Sequence, residues 1–264
     1  MLDTSIAPVK PVDSAAVILL RDRSDGRAEV FLVRRHRSSS FLPSMFVFPG
    51  GKLDKEDGNH EAAAARELFE EAGVLLSPNC PANLAEWRRR ILGGEASFRD
   101  LVDAGVVLDT TCLRFWSRWI TPSLEPRRFD ARFYLAMLPA DQQPSFDDKE
   151  TVDAVWVTPA EALEHRHGRQ LPLPPPQVRT LMEMSSYASA TAILEAAAGR
   201  ERHGHPILPR VAKMPGKLTL LLPWDPEYFS LGLGEALPIP VEHPSALGAS
   251  RFAWDGVTWR HASP

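Results

Sequence analysis

Residues 65–74 read ARELFEEAGV, an arginine and three glutamates within six positions, with a glycine two places on. At 3.6 residues per turn Glu67, Glu70 and Glu71 are spaced i, i+3, i+4 and share one face of a helix. Three carboxylates on one patch repel and raise one another's pKa. Arg66 offsets part of this through its i+4 partner Glu70, but an exposed pair of that kind contributes only about 0.3–0.5 kcal/mol. A divalent cation resolves the crowding better, and clustered hard oxygen ligands suit Mg²⁺ or Mn²⁺ shared with substrate phosphate oxygens. The competing reading is a solvated acidic face. Upstream, the loop FPGG (48–51) favours the metal: glycines let backbone approach an ion or pyrophosphate, and the Gly50 or Gly51 carbonyl can serve as ligand.

Those residues need a scaffold. Residues 14–20 and 28–34 are β-rich runs around a turn signal at Asp25-Gly26, which predicts a hairpin with Val30, Leu32 and Arg34 alternating against Phe31 and Val33. MFVFPGG (45–51) is a further apolar run. Helices are expected over 61–72, over 83–92 behind an Asn83 cap, and over 97–105. Strands are expected at 113–120, 132–138 and 152–157, followed by a capping box at Thr158, Pro159 and Glu161. QLPLPPPQ (170–177) reads as an extended connector, and 177–198 as one helix. The tail is β-like at 217–223 and 251–261. Short strands interleaved with helices indicate a mixed α/β (α+β) fold. The expected organisation is an N-terminal extension (1–13), a catalytic domain (14–169), and a proline-rich connector with a helical and β extension packed on the core (170–264).

Composition narrows the partners. The chain has 264 residues, 24% charged, with net charge −4. No basic surplus points to nucleic acid, and the longest early apolar run, Ala15–Leu20, is far short of a membrane span. Cys80 and Cys112 lie far apart with no CxxC spacing. With neither a cationic leader nor a peroxisomal address in the closing WRHASP, the expected location is cytoplasmic.

The pattern Arg66-Glu67-Leu68-x-Glu70-Glu71-x-Gly73-Val74 resembles the second half of the box of the Nudix hydrolase superfamily, G-x5-E-x7-R-E-U-x-E-E-x-G-U, where U is a bulky aliphatic. The first half departs from it. Gly51-x5-Asp57 restores the first spacing with one extra residue behind it, leaving open whether Asp57, Glu56 or neither replaces the first glutamate. The resemblance implies a mixed sheet between helices, and metal-dependent hydrolysis of a diphosphate bond in a small nucleotide substrate. It implies Glu67, Glu70, Glu71 and Gly51 as metal ligands, with Arg66 orienting the glutamates. Glu70 and Glu150, the latter in the acidic loop FDDKE, are both candidate general bases.

Arg35, following an aliphatic strand before the glycine loop, resembles the coenzyme A diphosphatase branch, although Ser40 and Ser44 stand where that signature has a second arginine and a glycine. Residues 118–139 resemble the peroxisomal type and its bacterial relatives in "WITP…P.RFD.RF". The resulting expectation is cleavage of coenzyme A or acyl-coenzyme A to 3′,5′-ADP and 4′-phosphopantetheine. Arg35, Lys52, Arg128 and Arg132 would contact substrate, Arg127 being a further cation suited to a phosphate. Arg128 can alternatively pair with Asp130 in a turn. ADP-ribose, NAD(H) and dinucleoside polyphosphates are the alternative substrates, and an inactive nucleotide-binding module is the alternative class. Trp224, Tyr228, Trp254 and Trp259 could cap a pantetheine arm, form a homodimer surface, or sit in the core.

Overall fold

A computed structural model describes residues 7–165, 171–214, 217–240, 242–246, 248–256 and 258–262. The expected hairpin forms from β1 (Val12–Asp22) and β2 (Ala28–Arg35), with Gly26 at φ 82° in its turn. Only the strand ends nearest that turn pair, Leu20 with Val30 through Asp22 with Ala28. Beyond them the two strands part, and the segment after β2 fills the gap. Its β3 (Phe46–Val47) pairs with β2 and its β4 (Gly50–Lys52) pairs with β1, Pro49 standing between them. The double glycine therefore lies in a cleft of the sheet. On the far edges β1 runs parallel to β6 (Phe129–Met137), which pairs with β5 (Arg114–Ile120), while β2 pairs with β7 (Thr151–Val157).

Alternation along the central strands buries both faces. Ile18, Leu20, Val30 and Leu32 join one core, and Val17, Leu19, Phe31 and Val33 join the other. Helix α1 (His60–Ala72) covers the second face with Ala64, Ala65, Leu68 and Ala72, and carries the three glutamates. The Asn59 side chain caps its start by accepting from Ala62 N–H at 2.8 Å, and left-handed Gly73 ends it. Helices α2 (Leu84–Leu92) and α3 (Phe98–Asp103) follow as expected, although the Asn83 side chain makes no capping bond.

The first face is covered by α4 (Pro159–His165), α5 (Pro175–Met184) and α6 (Ala190–Ala196). Thr158 and Glu161 form the expected reciprocal capping bonds. The single helix expected over 177–198 is instead two. Ser185 and Ser186 hydroxyls take the carbonyls of Met182 and Glu183, and the Ser189 side chain caps the restart. Nor is the whole proline run extended: α5 begins at Pro175, where a missing N–H costs nothing. The boundary expected at 169–170 lies outside the described residues.

The tail forms a second antiparallel sheet of β8 (Arg210–Met214), β9 (Lys217–Leu221), β10 (Arg251–Trp254) and β11 (Trp259–His261), with a short α7 (Tyr228–Leu231). Leu220, Leu222 and Phe252 share the first core with Ile18 and Leu32, so the tail and the main sheet bury one another. Tyr228 is wholly buried, its hydroxyl donating to Leu208 O at 2.8 Å, and Trp254 packs on Trp259. No described helix is long and apolar enough to cross a membrane.

Candidate active site

Glu67, Glu70 and Glu71 meet the glycine cleft. A Cβ placed on Gly51 would stand 2.4 Å from Glu67 Oε1, so a side chain there would displace that carboxylate. The neighbouring Gly50 N–H donates to Glu71 Oε2 at 2.9 Å, and Gly50 itself abuts Ala15 and Ala16 of β1. Both glycines are thus required by close approach.

Arg66 organises the cluster. Its Nε donates to Asp57 Oδ1 at 2.8 Å, its Nη2 to Asp57 Oδ2 at 3.0 Å and to Lys52 O at 2.9 Å, and its Nη1 to Glu67 at 2.9 Å and Glu70 at 3.2 Å. All five guanidinium donors are used. Asp57 holds Arg66 from behind in the two-point geometry that makes such pairs directional, while Glu56 is exposed.

One guanidinium does not neutralise this site. Burial pushes Glu67 up to about 7, against the lowering effect of Arg66 and with Glu70 and Glu150 adding to the rise. Burial likewise raises Glu70, and raises Glu71 well above the usual carboxylate range. Among the described residues no three acidic, histidine or cysteine side chains stand ready converged on a metal position, because these glutamates are drawn to Arg66 and Gly50. The donor set nevertheless fits a hard divalent ion: surplus buried carboxylates beside a backbone turn stripped of side chains.

The charge of Glu150 adds to the rise of both Glu67 and Glu71, and that of Arg35 lowers Glu71. The Arg35 Nε also donates to Phe41 O at 3.0 Å. Lys52 contributes its carbonyl to Arg66 and leaves its side chain exposed. In the loop before β3, Ser44 has φ 61°, a conformation cheapest for glycine, and Arg127 reaches across to Ser40.

Arg132 lies along the sheet toward the start of α1, touching His60 and 3.6 Å from Asp13. There it lines a cavity of about 310 Å³ with Glu61, Phe115, Arg118 and Tyr134. Arg128 does not join the site. It is buried, with donors spent on Thr121 O, Val9 O and Glu235, so it ties the N-terminal segment to the tail. The turn pair suggested for it is also displaced, since Asp130 is held by Arg118 at 2.7 and 2.6 Å.

Sequence reading missed Arg88 on α2, which bonds the carbonyls of Glu70 and Glu71. A signal existed: the last turn of α1 holds no cation, so its terminal carbonyls need one from elsewhere.

Residues 60–184 match the family model described as the NUDT19 Nudix domain. Nudix hydrolase 7 of Caenorhabditis elegans is 34% identical over 184 residues, covering 65% of this chain and 60% of that protein. Human acyl-coenzyme A diphosphatase NUDT19 is 34% identical over 194 residues, covering 66% of this chain and 52% of that protein. The chain spans less than two thirds of either relative. Among solved structures, the NUDIX hydrolase from Alicyclobacillus acidocaldarius superposes with a TM-score of 0.59 at 26% identity, over 70% of this chain and 96% of that one.

One similarity corrects an expectation. The peroxisomal coenzyme A diphosphatase ndx-8 of Caenorhabditis elegans is 41% identical over 92 residues, 31% of this chain and 39% of that protein. Its named compartment overturns the cytoplasmic placement. Two distant cysteines and no membrane-length run describe many compartments equally.

Proposed function

We infer that the chain is a Nudix hydrolase, one of a superfamily whose members work with divalent metal ions on nucleotide-like substrates. We propose that this chain hydrolyses the diphosphate bond of coenzyme A or acyl-coenzyme A, giving 3′,5′-ADP and (acyl-)4′-phosphopantetheine, with Mg²⁺ or Mn²⁺. The observation that carries the hydrolytic reading is the surplus of buried negative charge at the glycine cleft. Asp57, Glu67 and Glu70 surround one guanidinium while Glu71 has a single backbone N–H. Names of relatives support the substrate class, since human NUDT19 is named an acyl-coenzyme A diphosphatase and ndx-8 a coenzyme A diphosphatase.

In this reading Glu67, Glu70, Glu71 and the Gly51 carbonyl hold the ion. When bound, it offsets pyrophosphate charge and acidifies water. Arg66, braced by Asp57, fixes the rotamers of Glu67 and Glu70. Glu150 receives the proton of the attacking water, a role supported by the influence of its charge on Glu67 and Glu71 while Glu70 is engaged by Arg66. Arg35 and Lys52 are assigned to phosphate oxygens beside the cluster, and Arg132, which lines the cavity, to a more distant phosphate.

Incubation with coenzyme A, an acyl-coenzyme A, ADP-ribose, NADH and a dinucleoside polyphosphate, each with Mg²⁺ and with products identified by mass, tests this directly. Release of 4′-phosphopantetheine at a kcat/KM at least tenfold above that for the other substrates is expected. Preference for ADP-ribose or NADH would overturn the substrate assignment.

A further inference from the structure

We propose that Arg88 is a positioning residue that locks the acid-bearing helix to the loop carrying Glu150, an inference that rests on the diphosphatase reading. Helix α1 ends with four carbonyls needing partners, and its last turn supplies two glutamates and no cation. Gly73 N–H serves Phe69 O at 2.8 Å, and Ser145 N–H serves Ala72 O at 2.9 Å. Arg88 serves the two between them. Its Nε and Nη2 lie 3.1 and 3.0 Å from Glu70 O, and its Nη2 lies 2.8 Å from Glu71 O. These are the backbone carbonyls of the very residues whose side chains face the cleft.

The same guanidinium holds the loop. Its Nη1 donates to Ser145 Oγ at 2.8 Å and its Nη2 to Ser145 O at 2.9 Å. From Ser145 the chain enters a turn in which Asp147 Oδ1 accepts from Glu150 N–H at 2.7 Å and Thr151 N–H at 3.2 Å. One planar group therefore sets where Glu150 stands relative to Glu67 and Glu71. Gly73 belongs to the device, because a Cβ there would lie 2.8 Å from Arg88 Nη1 at a backbone φ of 71°. No ammonium can reproduce a fork spanning two helix carbonyls and a serine.

The test uses the full chain with Arg88→Gln and Arg88→Lys. A control, Gln142→Ala, breaks a different buried anchor, the paired bonds of Gln142 to Leu75 N–H and Leu75 O. Mn²⁺ alone is titrated and followed by electron paramagnetic resonance, thermal midpoints are recorded, and kcat and KM are measured separately. Arg88→Gln is expected to weaken Mn²⁺ five- to tenfold and lower kcat thirtyfold or more, with KM changing less than threefold. Lysine should restore little, and Gln142→Ala should lose comparable thermal stability while keeping ion affinity and kcat. Unchanged Mn²⁺ affinity and kcat in Arg88→Gln, or equal losses in the control, would overturn the proposal. Should the wild type cleave none of the diphosphates offered, the substrate reading fails on its own, and the Mn²⁺ titration still decides the role of Arg88.

Discussion

Two buried arginines in this molecule sit among acids with opposite consequences. In the tail, Arg251 meets Asp225 at 2.7 and 3.1 Å and Glu227 at 2.6 Å, and Ser250 completes the shell of Asp225. Burial works against the Asp225 charge, yet Arg251, Glu227 N–H and Ser250 outweigh it and the pKa falls below the usual value. At the glycine cleft Arg66 is equally well bonded, yet Glu67, Glu70 and Glu71 all move up. The difference lies in stoichiometry. Acids that hold a fold together are matched by cations and polar hydrogens, whereas the cleft holds more carboxyl groups than donors to match them, which is what the proposed metal site calls for.

The strongest way to break this comparison is to neutralise one acid on each side. Glu71→Gln is expected to lower kcat at least a thousandfold while leaving the metal-free protein as stable as wild type or more so at pH 8, measured by steady-state kinetics and thermal melts. Asp225→Asn should do the reverse, costing about 1–3 kcal/mol in denaturant unfolding by leaving Arg251 with Glu227 as its one carboxylate partner among the described residues, with activity per folded molecule unchanged. Equal behaviour of the two variants would erase the distinction.

Acid titration sharpens it further. A carboxylate whose folded pKa lies above its unfolded one stabilises the fold below the unfolded value and loses that contribution as pH rises. Glu67, moving from 4.5 to about 7, should therefore cost the metal-free protein about 3 kcal/mol between those limits. Asp225 has the opposite sign, its contribution present above its usual 3.8 and lost on acidification. Denaturant melts in chelator from pH 4 to 8 should show stability declining through the upper window, and saturating Mg²⁺ should flatten that decline. A smaller effect is expected of Gly51→Ala, whose methyl meets the Glu67 carboxylate. A ten- to hundredfold fall in kcat with little change in thermal midpoint would show that the glycine serves the carboxylate more than the strand.

Much of the cleft was legible from residue order because its logic is local. Helical spacing puts Glu67, Glu70 and Glu71 together, and the glycine pair announces a close approach. What residue order left open depended on the fold. Whether Asp57 or Glu56 meets Arg66 depends on how the loop between β4 and α1 turns, and the structure turns Asp57 inward. Arg128 looked available among its neighbouring arginines, but burial beside Val9 and Glu235 commits it to the scaffold. The serines that split 177–198 act through side-chain bonds to the backbone, which propensity sums do not register.

Calorimetric titration of Mg²⁺ into the metal-free protein at pH 7, in two buffers of unlike ionisation enthalpy, tests the central claim most directly. The account predicts saturable binding with net proton release, and at least tenfold weaker binding with fewer protons released in Glu67→Gln. Absence of binding, or an affinity indifferent to glutamine at positions 67, 70 and 71 alike, would contradict it.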